Sequence, residues 1–218
     1  MKTFFRKHVF SGILCLTFFT ILLSIFIIRH FFFSDKVYYA KDFHIEELKS
    51  GTDKDGDGID DYTDILLGAR SYISSKPKYK SKYYSGGYPD DGCGVCTDVI
   101  WQALQAAGYS LKEMVDEDIA SHPEQYPSID SPDPNIDFRR VRNLDIFFQR
   151  NALSLPTSFS SIEDWQAGDI VVFKDHIAIC SDKRNSKGIP FILHHSPMGA
   201  EEKNDMERYA VLGHYRLK

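Results

Sequence analysis

A chain of 218 residues with 43% hydrophobic and 14% aromatic residues has the composition of a packed globule, not of a disordered or fibrous protein. The formal net charge of −5 is local: residues 53–64 hold six Asp and one Lys, which is −5 by themselves, so the rest sums to zero. No basic footprint for nucleic acid exists, and no internal repeat or low-complexity tract is present.

Lys2, Arg6 and Lys7 precede an uncharged run from Val9 to Ile28, long enough to span a bilayer as a helix. Positive-inside logic puts the remainder outside the cytoplasm. The expected organisation is therefore a cytoplasmic tip and uncleaved transmembrane signal-anchor (1–34), a linker (35–52) and one extracytoplasmic domain. A cleaved signal peptide is the competing reading. It is disfavoured because the run is long for a signal core and Arg29-His30-Phe31 is no small-residue cleavage site. Cys15 belongs to the membrane run, which leaves Cys93, Cys96 and Cys180, an odd number of thiols outside the cytoplasm.

The acidic stretch 53–64 matches a calcium-loop pattern. Asp53, Asp55 and Asp57 stand at positions 1, 3 and 5, and Gly58 supplies the sharp turn at position 6. Ile59 offers its carbonyl at position 7, and Asp61 and Asp64 fill positions 9 and 12. Hard Ca²⁺ wants several oxygens on a tightly curved backbone. Asp64 replaces the usual bidentate Glu, which shortens one arm. The competing reading is an Asx-rich turn capping the helix announced by Ile65, Leu66, Ala69, Tyr72 and Ile73. No organic cofactor is indicated.

Lys76, Lys78, Lys80 and Lys82 read as a solvated loop. After the loop Gly86–Gly92, the residues Val99, Ile100, Ala103, Leu104 and Ala107 recur at helical spacing until Gly108. Cys96 falls at the first turn of that helix. The helix dipole and free amides there favour a thiolate, so Cys96 is expected to titrate below about 8.5 and to be nucleophilic. The bland alternative is a small buried apolar residue. Helices are expected over Leu111–Ala120 and Val141–Asn151, separated by a proline-marked connector. The arginines of Asp137–Arg142 read first as structural ion-pair partners.

From Gly168 the period changes. Ile170–Phe173 reads as a strand, Lys174-Asp175 as a tight turn, and His176–Cys180 and Phe191–His195 as further strands. Tyr209–Leu217 adds one or two more. The order is α+β, a helical half followed by an antiparallel meander. His176 opens a strand, where a sheet can present it to a helix end, and His194 lies on the next strand. A cysteine, a base and a polar third group are the parts of a thiol hydrolase.

Gly168–Phe173 followed by His176-Ile177-Ala178-Ile179 resembles the strand pair of the NlpC-type cell-wall cysteine peptidases, and Cys96 resembles their nucleophile. The chain over roughly 60–218 is more closely similar to the bacterial domain of unknown function family 1287, through Gly94–Val99, Asn135–Val141 and Gly213–Arg216. The resemblance implies a papain-like fold with Cys96 as nucleophile, His176 as base and His194 as the orienting residue. It implies an amidase or peptidase acting on a cell-wall peptide or amide, with one departure: Thr97-Asp98 stands where the peptidases carry Ser-Gly. His195 rivals His194, since alternation lets only one face the site. Two other classes stay open: a redox or zinc protein using Cys93-x-x-Cys96, and a non-catalytic wall-binding module of the same fold.

Overall fold

The computed structural model describes residues 36–218, together with Thr20 and Ser24. The expected anchor over 1–34 otherwise lies outside the described residues. No helix among the described residues is long and apolar enough to cross a membrane. Val37–Lys218 forms one compact unit.

The fold is α+β. Among the described residues, four α-helices, α1 (Asp61–Ser74), α2 (Cys96–Ala106), α3 (Leu111–Ser121) and α4 (Val141–Asn151), accompany an antiparallel sheet. Two short strands, β1 (Lys78–Tyr79) and β2 (Cys93–Gly94), pair in parallel outside that sheet. The sheet holds β3 (Leu153–Ser154), β4 (Ile170–Phe173), β5 (His176–Arg184), β6 (Pro190–Ser196), β7 (Gly199–Lys203) and β8 (Val211–Arg216). Their spatial order is β3-β8-β4-β5-β6-β7. The expected plain meander therefore needs correction. Strands β4 to β7 do meander, but β8 returns to pair with β4, Ile170 opposite Tyr215. Covered on both sides, β4 is buried throughout its length, which explains its unbroken apolar sequence.

Period-2 alternation divides the sheet between two cores. Ile170, Val172, Ile177, Ile179 and Leu193 face α1 and α2 and join Ile65, Val99, Ile100 and Leu104. Val171, Phe173, Ala178, Cys180 and Ile192 face the other way, against Trp165 and Met206. Helices α1 and α2 approach closely because Gly68 carries no side chain; a Cβ there would lie 2.6 Å from the Ala106 Cβ.

The stretch expected to be a linker is part of the fold from Val37 on. The backbones of Tyr38 and Arg184 exchange hydrogen bonds of 2.9 and 2.8 Å. Ala40 and Ile45 are buried, so apolar contact holds this segment against the sheet.

Candidate active site

Cys96 is the first residue of α2, and Val95 caps the helix in an extended conformation. The first turn is fixed by Asp98, which is completely buried. Its carboxylate accepts the Val95 amide at 2.7 Å, the Trp101 indole N–H at 2.8 Å, and two N–H groups of Arg139 at 2.8 and 2.9 Å. Thr97 donates its hydroxyl to the Arg139 carbonyl. Thr97-Asp98 thus forms a buried anchor that holds the helix start, and Arg139 takes the structural role that its sequence context suggested.

The Cys96 thiol does not titrate low. Burial pushes it up to about 11, and the Asp98 charge pushes the same way. The backbone amides of Ile177, Thr97 and Cys96 itself pull against that rise. The expectation of a pre-formed thiolate is corrected: the amides surround the sulfur as foreseen, but lost hydration outweighs them.

His176 opens β5 after the tight turn, where Asp175 adopts a left-handed φ of 59°. Its Nε2 lies 2.9 Å from His194 Nδ1, with the rings edge to face. Burial first, then the neighbouring His194 and His195, push His176 down to about 4. His194 is lowered mainly by burial, and its Nε2 is buried without a hydrogen-bond partner among the described residues. His195 points to the opposite face, where the Tyr72 hydroxyl meets its Nδ1 at 2.7 Å and the Tyr79 ring packs edge-on. Alternation along β6 therefore gives His194, not His195, to His176.

No hydrogen bond joins Cys96 and His176 among the described residues. The Cys96 sulfur faces the amide of Ile177, the residue after His176. Alternation gives Ile177 to the helix side and His176 to the side of Phe173, whose ring stacks on it. The bonded register of β5 with β6 stops at Ile179 opposite Leu193, short of His176. The α2 start approaches the sheet at that open end. Beside Val95 lies a cleft of about 440 Å³ lined by Tyr83, Arg139 and the exposed Arg140. Cys93, Cys96 and Cys180 are all free thiols.

At the other end of α2, Asp53, Asp55 and Asp57 bring one oxygen each within 4.8 Å of one another. Asp53 also accepts the amides of Gly56, Asp57 and Gly58, and Asp57 accepts that of Ile59. Asp61 is occupied otherwise, accepting the Lys54 amide and the hydroxyls of Thr52 and Tyr109. Asp64 is buried, and one of its oxygens has no partner among the described residues.

The residues missed from sequence are Tyr72, Asp98 and the Ile177 amide. Only Asp98 left a signal, as an acid at the third helical position. The motif Gly213–Arg216 is structural. His214 Nε2 and Arg216 share the Asp169 carboxylate, Trp165 stacks on His214 at 3.8 Å, and the Tyr215 hydroxyl donates to Asp145.

The family model described as "Domain of unknown function (DUF1287)" matches residues 66–217. The chain belongs to this family. It is 37% identical over 164 residues to the uncharacterized protein YijF of Escherichia coli (strain K12), a match covering 70% of this chain and 80% of that protein. No solved structure matches. The acidic loop precedes the part shared with the DUF1287 family.

Proposed function

We propose that this DUF1287 chain is an NlpC-type, papain-like cysteine hydrolase that cleaves a peptide or amide bond of cell-wall peptidoglycan from an extracytoplasmic, membrane-tethered position. The observation that carries the reading is the Cys96 sulfur at a helix start, against the amide following a histidine that is itself bonded to a second histidine. Cys96 is the nucleophile, His176 the base and His194 the positioning residue. The resting pair is neutral, thiol and imidazole, because burial acts on both in that direction. Proton transfer therefore accompanies attack. Sulfur bonds to the carbonyl carbon while its proton passes to His176 Nδ1, a step that requires the His176 ring to turn from the Phe173 side toward the helix start. The amides of Cys96 and Thr97 are candidate donors to the oxyanion. The C–N bond then breaks as His176 returns the proton to the leaving amine, and water hydrolyses the thioester. The Arg140 cleft offers a cation for a substrate carboxylate.

A non-catalytic wall-binding module is the second reading, favoured by the buried, protonated thiol. Electrophile labelling followed by mass analysis separates them. A hydrolase is labelled at Cys96 ahead of Cys93 and Cys180, and His176→Ala slows the labelling. Purified peptidoglycan is cleaved by the parent and left intact by Cys96→Ala. A Cys96→Ala protein that cleaves as fast as the parent ends the hydrolase reading.

A further inference from the structure

We propose that the loop 53–64 is a calcium site in which Asp53, Asp55 and Asp57 converge on the ion and Asp64 completes it from helix α1, clamping the end of α2 opposite Cys96. Three exposed carboxylates held within 4.8 Å are by themselves a common surface feature. The observation that sets this cluster apart is Asp64. It is only 5% exposed, and its Oδ2 has no partner among the described residues. After burial, the charges acting most on it are Asp57, Asp55 and Asp53, the three carboxylates of the cluster, and it stands in the first turn of α1 directly after the loop. A buried carboxylate whose strongest charged neighbours are themselves carboxylates is an unfavourable arrangement unless an ion joins them. Carboxylate oxygens on a tightly curved backbone are the donor set of Ca²⁺. The curvature is supplied by Gly56 and Gly58, at φ of 78° and 94°.

Asp61 is not a direct ligand in this site. Its oxygens hold Thr52, Lys54 and Tyr109, and so tie the loop to the residue that follows Gly108. Gly108, at φ 77°, lies directly beneath Asp55, where an added Cβ would meet the Asp55 Cβ at 3.1 Å. The loop thus seats on the C-terminal end of α2. An ion there links the starts of α1 and the end of α2, the two helices that carry Tyr72 and Cys96.

The test is calorimetry of the full-length chain with CaCl2, with MgCl2 and with chelator. One Ca²⁺ should bind, and millimolar calcium should raise Tm by about 5 °C, as expected for ligand linkage at extracellular-type affinity. Asp64→Asn removes a ligand while keeping shape. It should abolish the calcium response and raise Tm in chelator, because the like charge is gone. Asp61→Asn should lower Tm yet keep calcium binding. If Asp64→Asn fails to fold, Asp57→Asn decides by the same two readings. No heat and no Tm shift in the parent, or a full calcium response in Asp64→Asn or Asp57→Asn, overturns the site. None of these readings depends on turnover, so they stand apart from the hydrolase proposal.

Discussion

The two ends of helix α2 solve opposite electrostatic problems. At its start, burial keeps the titratable groups uncharged: a protonated Cys96, a neutral His176 and a neutral His194. The buried carboxylate there, Asp98, is matched by Arg139 with both side chains buried. Beyond its end, the loop 53–64 gathers carboxylates with a surplus of negative charge, one of them buried in Asp64. The contrast teaches where each end draws its stability. The start is self-sufficient because its buried charge has its partner. In the proposed calcium site, the far end is completed by a cation.

The self-sufficiency of the start is broken most severely at Arg139. Arg139→Met leaves Asp98 buried and unpaired, and breaking such a pair costs about 3–5 kcal/mol. Urea unfolding should show that loss, and adding Asp98→Asn should recover part of it, since the stranded charge is then removed. A loss under about 1 kcal/mol would mean that the pair is not what holds the helix start.

The neutrality of the histidines gives a second, smaller effect. The native pKa of His176 is about 4, below its ordinary value of 6.5, so between those values the unfolded chain binds more protons than the native one. Stability therefore rises with pH across that window. The contribution is complete above about 6.5 and is lost as pH falls toward 4. Its size is on the order of 3 kcal/mol. His194 and His195 are lowered too, opposed by Asp205 and Glu201 near the first and Asp98 near the second. Comparing the parent with His176→Gln isolates the His176 share. The variant's Tm should fall less between pH 7 and 5. Parallel curves would show that His176 is not neutral in the native state.

The legibility of the molecule in its sequence follows the range of the interactions. The helix over Val141–Asn151 is readable because its apolar period is local, and the hairpin Ile170–Cys180 because β-branched runs flank a two-residue turn. The partner of β4 was not readable, since β8 comes from the far end of the chain and only tertiary packing sets its place. The same limit hid the Asp98–Arg139 pair, 41 residues apart, and the docking of Val37–Leu48 on the sheet. Cys96, His176 and His194 could be named from motif and periodicity. The thiol's pKa could not, because its largest cause is burial by residues distant in sequence.

The smallest effect expected is at His194, and it concerns a proton. For His176 to act as base at Nδ1, its Nε2 must carry hydrogen and donate to His194 Nδ1. The His194 proton then sits on Nε2, an atom buried without a partner. That costs about 1–3 kcal/mol and favours the reversed, unproductive arrangement in which His194 donates. An asparagine can turn its carbonyl oxygen toward His176 and fix the productive tautomer without a buried ring N–H. His194→Asn should therefore keep kcat within about tenfold of the parent, whereas His194→Phe, which offers no acceptor, should lose about 100-fold. The pH profile separates positioning from folding: the acid limb of kcat should move between the parent and His194→Asn, while Tm stays within a few degrees. Equal losses in the Asn and Phe variants, with an unmoved limb, would remove His194 from the chemistry and leave it a packing residue of β6.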